Sequence, residues 1–339
     1  MRTSGLRQAI QTLVVAAAAM FGLSPEAHAL ACSVTAFTGA YGTVNPLPGT
    51  AVNSTATFSV TCSGGTANQG LRFCMNIGPG STTTGPASER VIRSASDYMD
   101  HEFYSNSGRT LLWGSWGIGS SPAYPSGSPA GNQQDVTLDA SGNGTFNYTV
   151  FAKILAGQQD TIPGSFTWSG GDPTVQYRAL TGSSACPNGG GSASGGSSSF
   201  TATVNARCTI SATALSFGSS NSTISSNIDS TATLTATCTN STPYSIGLNN
   251  GANVSGTQRR MRLGATANFI SYGLYTDSAR TNGWKTTTST TSCTGGASTC
   301  ILGTGTGSSQ NVTVYGRIPP QTAPAAGSFT DTVTVTVTY

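Results

Sequence analysis

The chain has 339 residues, a formal net charge of +3 and charged side chains at only 8% of positions, against about 25% in typical globular domains. This small, scattered charge gives no electrostatic footprint for nucleic acid, so we expect no nucleic-acid partner. Gly is abundant at 43 residues, and Ser and Thr outnumber Glu and Lys, which is typical of an exported β-protein with many turns and not of a cytosolic enzyme. Eight cysteines, an even number, predict disulfides.

Residues 1–29 are predicted to be a cleaved export signal. Two arginines precede an apolar stretch at residues 13–23, and Ala27-His28-Ala29 forms an A-x-A cleavage site. A transmembrane anchor is disfavoured because the apolar run is too short to span a bilayer. Lipidation of Cys32 is a second alternative, disfavoured because the leucine that usually stands three residues before such a cysteine is missing. The sequence therefore predicts secretion.

After the signal, the chain carries one pattern twice. The spacing from Cys32 to Cys62 equals the spacing from Cys208 to Cys238. Three further blocks recur in the same order: Tyr104, Arg109 and Trp113 with Tyr275, Arg280 and Trp284; residues 150–154 with 314–318; and residues 164–167 with 327–330. Such repetition indicates a tandem pair of domains, and it also predicts the disulfides Cys32–Cys62 and Cys208–Cys238.

Four cysteines remain outside the repeated pairs. Cys293 and Cys300 are close enough in sequence to bridge a hairpin-like loop. Cys74 and Cys186 are then left over, and a bond between them would pin the start of the linker described below to the first domain.

Composition predicts the domain boundary at residues 182–199, which are nearly all Gly, Ser, Ala, Asn and Pro, as in a flexible linker. We assign an N-terminal domain to residues 30–181 and a C-terminal domain to residues 200–339. Within each domain, short alternating stretches are separated by turn residues, and no segment carries a helical period. The predicted fold class is all-β, with two tandem β-sandwiches.

The last ten residues predict a strand with one apolar face. Val333, Val335, Val337 and Tyr339 alternate with threonines, the period of a half-buried strand. Because the sequence ends on this pattern, no following segment would cover the strand, and we expect an edge that is open to another chain. Assembly is therefore the first functional hypothesis.

These blocks resemble the spore coat protein U domain family. The resemblance rests on the two equally spaced cysteine pairs, residues 272–277, Arg280, Trp284, and the closing blocks 314–319 and 331–337. It is very close over residues 200–339 and looser over residues 32–180. The family includes subunits of archaic chaperone–usher pili of Gram-negative bacteria, and a chain with two such domains resembles their tip adhesins.

The resemblance implies that each pilin domain is an immunoglobulin-like sandwich that lacks its last strand. The C-terminal domain is then incomplete and needs a donor strand. Expected partners are a periplasmic pilus chaperone, which lends a strand during folding, an outer-membrane usher, and an adjacent pilin subunit that donates the replacing strand. The expected location is the fimbrium tip, reached by export through the periplasm.

The start of the predicted mature chain also bears on its place in a fibre. Shaft subunits of the family carry a donor extension before the first cysteine, whereas cleavage after Ala29 would leave only Leu30 and Ala31 before Cys32. Two residues are too few for a donor strand. The expectation is a subunit that accepts a strand, does not donate one, and ends the fibre.

A donor-like stretch lies inside the chain. Phe200, Ala202 and Val204 alternate with polar residues just before Cys208. One interpretation is that this segment completes the first domain within the same chain; the other is that it is the first strand of the second domain. Both remain open because alternation does not identify a strand's partner.

A candidate surface-binding loop is specific to the first copy. Trp116, Ile118 and Tyr124 have no counterpart in the second copy and lie among Gly and Pro, which favours exposed loops and contact with apolar surfaces or sugars. Leu47, between two prolines, is a weaker candidate for the same role. The alternative is that these loops fold over their own core. Trp113 recurs as Trp284, and Arg109 as Arg280, so structural roles are expected for them.

The sequence disfavours an enzyme. After signal cleavage the only histidine is His101, so no zinc site can be assembled from histidines and paired cysteines, and no nucleophile elbow accompanies it. The Gly-rich run at residues 189–191 follows no predicted strand and opens no helix, unlike a phosphate-binding loop. We expect no cofactor, metal or catalytic residue.

The leading hypothesis is a pilus tip adhesin whose N-terminal domain binds a surface or receptor for attachment and biofilm formation. The first alternative is a purely structural fibre component in which neither domain binds a target. A secreted coat protein without a fibre is the second.

Overall fold

The computed structural model describes residues 29–78, 80, 90–113, 133–171, 173–180 and 190–339. Over these ranges the chain is all-β, with 25 strands and one short 3-10 helix at Ala297–Thr299. No helix in the described part is long and apolar enough to cross a membrane. The strands build two units, and each unit has its own apolar core.

The first unit contains twelve strands within the described ranges. They are β1 (Ala31–Val34), β2 (Thr38–Val44), β3 (Val52–Ser63), β4 (Gly70–Asn76), β5 (Val91–Arg93), β6 (Tyr98–Tyr104), β7 (Gln133–Thr137), β8 (Gly144–Ile154), β9 (Gly164–Gly170), β10 (Thr174–Ala179), β11 (Gly191–Ser194) and β12 (Ser198–Val204). They form an eight-stranded sheet in the order β1-β3-β8-β6-β5-β9-β12-β2 and a four-stranded sheet in the order β11-β10-β4-β7. The core lies between these two sheets.

The second unit follows the same plan with shorter strands. They are β13 (Cys208–Ala212), β14 (Thr223–Ile224), β15 (Ile228–Cys238), β16 (Pro243–Leu248), β17 (Arg259–Leu263), β18 (Phe269–Tyr275), β19 (Thr287–Ser289), β20 (Ser292–Cys293), β21 (Ile301–Thr304), β22 (Ser309–Ile318), β23 (Gln321–Thr322), β24 (Phe329–Thr330) and β25 (Val335–Thr338). The two main sheets have the orders β13-β15-β22-β18-β17-β24 and β21-β16-β25.

The period-two pattern explains the long central strands. In β3 the inward side chains of Phe58, Val60 and Cys62 are 2%, 0% and 1% exposed, while the threonines and serines between them face outward. In β15 the corresponding inward residues Leu234 and Ala236 are 2% and 0% exposed. Alternation therefore fixes which face of each strand builds the core.

Disulfides close the first strand pair of each unit. Cys32 and Cys62 lie directly opposite each other on β1 and β3 and are bonded, as are Cys208 and Cys238 on β13 and β15. A third disulfide joins Cys293 to Cys300. Cys74 on β4 is also disulfide-bonded. Cys186 lies outside the described residues, so the Cys74–Cys186 pairing stays a prediction.

The end of the first unit differs from the sequence-based boundary. The proposed linker, residues 182–199, includes β11, and the segment assigned to the second domain begins with β12; both strands pair with strands of the first unit. Small residues are suited to β11 because this strand lies very close to β10: a Cβ on Gly191 would lie 2.2 Å from the Tyr177 ring. Within the predicted linker, residues 191–194 form an edge strand although their composition is typical of a linker.

Candidate functional site: an open groove in the second unit

In the first unit, β12 lies between two other strands. It runs antiparallel to β9, with Phe200 opposite Trp168, and parallel to β2, with Phe200 opposite Gly39. The alternating side chains of Phe200, Ala202 and Val204 are 0%, 3% and 2% exposed and belong to the first core. The candidate internal donor strand therefore lies within the first unit, between strands of that unit on both sides.

Phe200 is the largest side chain that β12 contributes. Its ring centroid lies 5.2 Å from that of Tyr41, 5.3 Å from Phe103 and 6.2 Å from Phe37. The ring also rests on Gly39, where a Cβ would come within 2.2 Å of it. The absence of a side chain at Gly39 is what makes room for the aromatic ring.

The second unit has the same framework around the same place. Gly42 and Gly218, each ten residues after the first cysteine of its unit, have φ values of 70° and 74°. The Ser54 hydroxyl donates to the backbone oxygen of residue 40 at 2.6 Å, and the Ser230 hydroxyl donates to that of residue 216 at 2.5 Å. Residues 213–222 nevertheless form no strand, whereas their counterparts in the first unit include β2, which pairs with β12.

A groove of about 390 Å³ lies where β12 would lie in the second unit. One wall is residues 212–217 and the other is residues 329–335, the counterparts of the two segments that flank β12. The floor is apolar and includes Leu234, Leu248, Leu274 and Val314. Phe217 in the wall is half-buried, whereas its counterpart Tyr41 is only 8% exposed.

The predicted acceptor edge coincides with this groove in part. Val333 and Val335 line it. Val337 lies further along β25, and Tyr339 is 50% exposed. On one side β25 pairs with β16, and among the described residues no strand pairs with its other side. The groove and the free edge of β25 thus form one continuous surface.

The wall formed by residues 329–335 carries a carboxylate, Asp331, between two threonines. The Tyr272 hydroxyl donates to Asp331 Oδ2 at 2.7 Å, and the backbone amides of Ala252 and Asn253 donate to Asp331 Oδ1 at 3.0 and 3.2 Å. Burial raises the pKa of Tyr272, and the hydrogen bond to Asp331 raises it further. The carboxylate is therefore held in place beside the groove.

Each unit also contains a buried arginine that lies outside the repeated sequence blocks. Arg90 is 1% exposed, donates from Nε to the Gly78 backbone oxygen at 3.1 Å and also contacts the Trp113 carbonyl. Arg259 is 6% exposed and donates to the Asn249 and Trp284 oxygens at 2.9 and 2.7 Å. Both arginines satisfy carbonyls at the end of a strand and beside the repeated tryptophan. Burial lowers the pKa of Arg259.

The repeated turn arginines have structural roles, as the repetition predicts. Arg109 and Arg280 have positive φ values of 52° and 58°. Arg109 donates to the Ser54 oxygen at 3.0 Å, and Arg280 donates to the Gly316 oxygen at 3.1 Å. Each arginine thereby braces its turn against the neighbouring sheet.

Of the residues predicted to bind a surface, only Leu47 lies within the described part of the chain. Trp116, Ile118 and Tyr124 lie outside the described residues, so their role stays a prediction. Leu47 lies in the turn between β2 and β3 and is half-buried. Within the described residues, no group of three or more His, Cys, Asp or Glu side chains is placed to hold a metal ion.

His101 lies in the core of the first unit. It is 0% exposed, and its Nδ1 lies 3.2 Å from the Tyr41 hydroxyl. Burial, and to a lesser extent the charge of Arg90, lowers its pKa to about 3. The counterpart of His101 in β18 is Tyr272, which packs edge-on against Phe217 with the ring centroids 6.0 Å apart. The first unit thus has a histidine, and the second a tyrosine, at the same position of the fold.

We expect acid to destabilise the first unit through His101. The unfolded state takes up the proton near pH 6.5, whereas the folded state does so only near pH 3. Stability is therefore lost as the pH falls from about 6.5 towards 3, and the loss by pH 5 should be about 2 kcal/mol. Urea unfolding at pH 8 and pH 5 measures this loss. A His101→Gln variant should show a smaller loss; an equal loss in the variant would contradict the assignment.

Comparisons with known proteins agree with this architecture. A family model described as Spore Coat Protein U domain matches residues 17–167 and 196–336. No curated protein matches the chain. A similar solved chain comes from the CsuC–CsuE chaperone–tip adhesion subunit complex of archaic chaperone–usher Csu pili of Acinetobacter baumannii. The identity is 18%, the match covers 91% of this chain and 100% of that one, and the TM-score is 0.50.

A second solved structure, the CupB6 tip adhesin from Pseudomonas aeruginosa, is 12% identical, with 91% of this chain and 94% of that chain covered and a TM-score of 0.33. At such identities the likeness to the Acinetobacter baumannii chain concerns the fold. The predicted fold class, two tandem immunoglobulin-like β-sandwiches, is confirmed.

Proposed function

This chain belongs to the Spore Coat Protein U domain family, and on that premise we propose that it is a pilus subunit whose second unit accepts a donor strand from another protein. One observation carries the proposal. The slot that β12 fills in the first unit is an open apolar groove in the second. The second sandwich thus lacks a strand that the first one has, and an open strand site of this kind is what donor-strand complementation requires.

The energetics of the groove favour an extended strand as its occupant. Each apolar side chain that becomes fully buried over the floor contributes about 1.5–3 kcal/mol. Main-chain hydrogen bonds to residues 213–219 and 327–333 would add to this, as they do for β12 between β2 and β9. In the first unit the run from β11 to β12 spans residues 191–204, which suggests a donor of similar length.

The partners follow from the need to cover the groove at every stage of assembly. We infer that a periplasmic pilus chaperone covers it first, and that an adjacent pilin subunit delivered at an outer-membrane usher replaces the chaperone. A solved chain with this fold comes from a chaperone–tip adhesion subunit pre-assembly complex, which supports the chaperone step. The route implies export through the periplasm to the cell surface.

We place the chain at the tip of the fibre. Its internal donor-like strand β12 is engaged on both edges within its own first unit and is not available for a neighbour. The first unit is then free to contact a target surface or receptor for attachment and biofilm formation. Trp116, Ile118 and Tyr124 are our candidates for this contact. We infer no catalytic function, since the family and the similar solved chains are structural or adhesive.

One experiment tests both parts of this proposal. The chain is produced with its chaperone, usher and pilins, and gold-labelled antibody locates it on isolated fibres by electron microscopy. We expect one label at one end of each fibre. In a Trp116→Ala/Tyr124→Ala double variant we expect normal fibres but loss of attachment to the target surface. A Thr145→Ala variant, altered on an exposed strand face, is the matched control. Labels along the shaft, or attachment that persists in the double variant, would instead favour a purely structural fibre component.

A further inference from the structure

We propose that the two strand sites select donor strands by side-chain size at one position. The first slot is the site between β2 and β9 that β12 fills, and the second slot is the open groove of the second unit. β12 then fits the first slot and is excluded from the second. This inference rests on the proposed function, because it specifies the occupant of the same groove. The discriminating position is that of Phe200, and the groove of the second unit is expected to require an Ala- to Val-sized side chain there.

The first slot is shaped for an aromatic ring. Phe200 is fully buried, and its ring lies over Gly39 on β2, where even a Cβ would come within 2.2 Å of the ring. Any side chain at Gly39 would have to displace the ring. Gly39 is therefore the residue that admits Phe200.

The second slot has a leucine where the first has this glycine. Gly39 and Leu215 each lie seven residues after the first cysteine of their unit, within the framework that Gly42 and Gly218 share. The Leu215 side chain turns inward: a Cβ on Gly316 of β22 would lie 2.9 Å from it. Leu215 lines the groove and occupies part of the space that an aromatic donor side chain would need.

The opposite wall changes in polarity, because a carboxylate stands where the first unit has an aromatic partner for the ring. In the first unit Phe200 faces Trp168 across the β9–β12 pair. Arg93 pairs with Thr167 and Arg262 pairs with Thr330, so the counterpart of Trp168 is Asp331. The carboxylate of Asp331 is already held by Tyr272 and two backbone amides. An aromatic ring here would meet a leucine on one side and a carboxylate on the other.

The consequence is discrimination between donors. A chain that contains both an apolar strand and an open groove risks filling the groove with its own β12 or with β12 of another copy. Mismatched size at one position is a repulsive element that disfavours this error. A donor with a small residue at this position avoids the clash while its other alternating side chains cover the floor.

Peptide binding to the full-length chain tests the size rule. The probes are a synthetic peptide of residues 191–204 and the same peptide with Phe200→Val, measured by fluorescence anisotropy. We expect the Val peptide to bind the unaltered chain at least tenfold more tightly, although it is less apolar, and this preference to disappear or reverse with Leu215→Gly or Leu215→Ala. Equal or tighter binding of the Phe peptide to the unaltered chain would overturn the size rule alone. Absence of binding by both peptides would overturn the proposed strand-accepting groove as well.

A second arm needs no added strand and stays within the first unit. Gly39→Leu gives the first slot the leucine of the second slot and should lower the melting temperature of the first unit. Phe200→Val should restore part of that loss when both changes are combined. If the combined variant is no more stable than Gly39→Leu alone, the size rule fails whatever the peptides do.

Discussion

Replacing Phe200 by alanine should lower the free energy of unfolding of the first unit by about 3–5 kcal/mol, the range for large-to-small changes at buried aromatic positions. The ring is 0% exposed and contacts three other aromatic rings. Its loss would leave a cavity beside Gly39 that the rigid sheets cannot close. The stability of the second unit should not change, because Phe200 belongs to the first core alone.

Hydrogen exchange followed by mass spectrometry resolves the two units, because peptides from each unit report their own opening. Thr201→Ala is the matched control: Thr201 lies on the same strand with its side chain exposed, and its replacement should change stability by less than about 0.5 kcal/mol. Faster exchange in the second unit, with the first unit unchanged, would show that β12 is the first strand of the second sandwich.

The case of β12 shows what the sequence could and could not determine. Alternation identified Phe200, Ala202 and Val204 as one apolar face, because a strand's period is local information. The partner of that face depends on contacts with residues 38–44 and 164–170, far away in sequence, and alternation does not encode them. For the same reason the Gly and Ser content of residues 191–194 predicts a linker, whereas these residues form β11 and pair with β10.

The groove was predictable in outline and not in its detail. The valine pattern at the end of the sequence indicated an open edge, and Val333 and Val335 do line the groove. Alternation does not predict the other wall, residues 212–217, because residues 213–217 form no strand and the segment has only two large apolar residues, Leu215 and Phe217. The signal that identifies this wall is the spacing from the first cysteine, which aligns residues 212–217 with residues 36–41.

The repeated blocks do not include the buried arginines, for a different reason. Arg90 directly precedes β5 and Arg259 begins β17, which are matching places in the two units. The stretch from Cys62 to Arg90 is nevertheless longer than the stretch from Cys238 to Arg259. Unequal loops shift the spacing, so only the structure aligns the two arginines. Burial of an arginine is also rare enough that sequence reasoning assigns it to the surface.

Replacing Val333 by aspartate should abolish donor-strand binding while leaving the empty second unit folded. Val333 is half-buried in the groove wall. Its counterpart in the first unit, Gly170, lies opposite Ser198 of β12, so a bound strand would cover this position. The new carboxylate remains solvated while the groove is open, and it becomes buried without a partner once a strand docks. Its proximity to Asp331 adds repulsion between like charges.

We expect Val333→Asp to weaken binding of the Phe200→Val peptide by at least about 100-fold, which corresponds to about 2.7 kcal/mol and lies within the usual cost of burying an unpaired polar group. In cells the variant chain should be missing from fibres. Thr336→Asp carries the same charge on the exposed face of β25 and should bind the peptide normally. Equal binding by both variants would mean that the strand docks elsewhere, because a charge on the groove wall affects only an occupant that covers it.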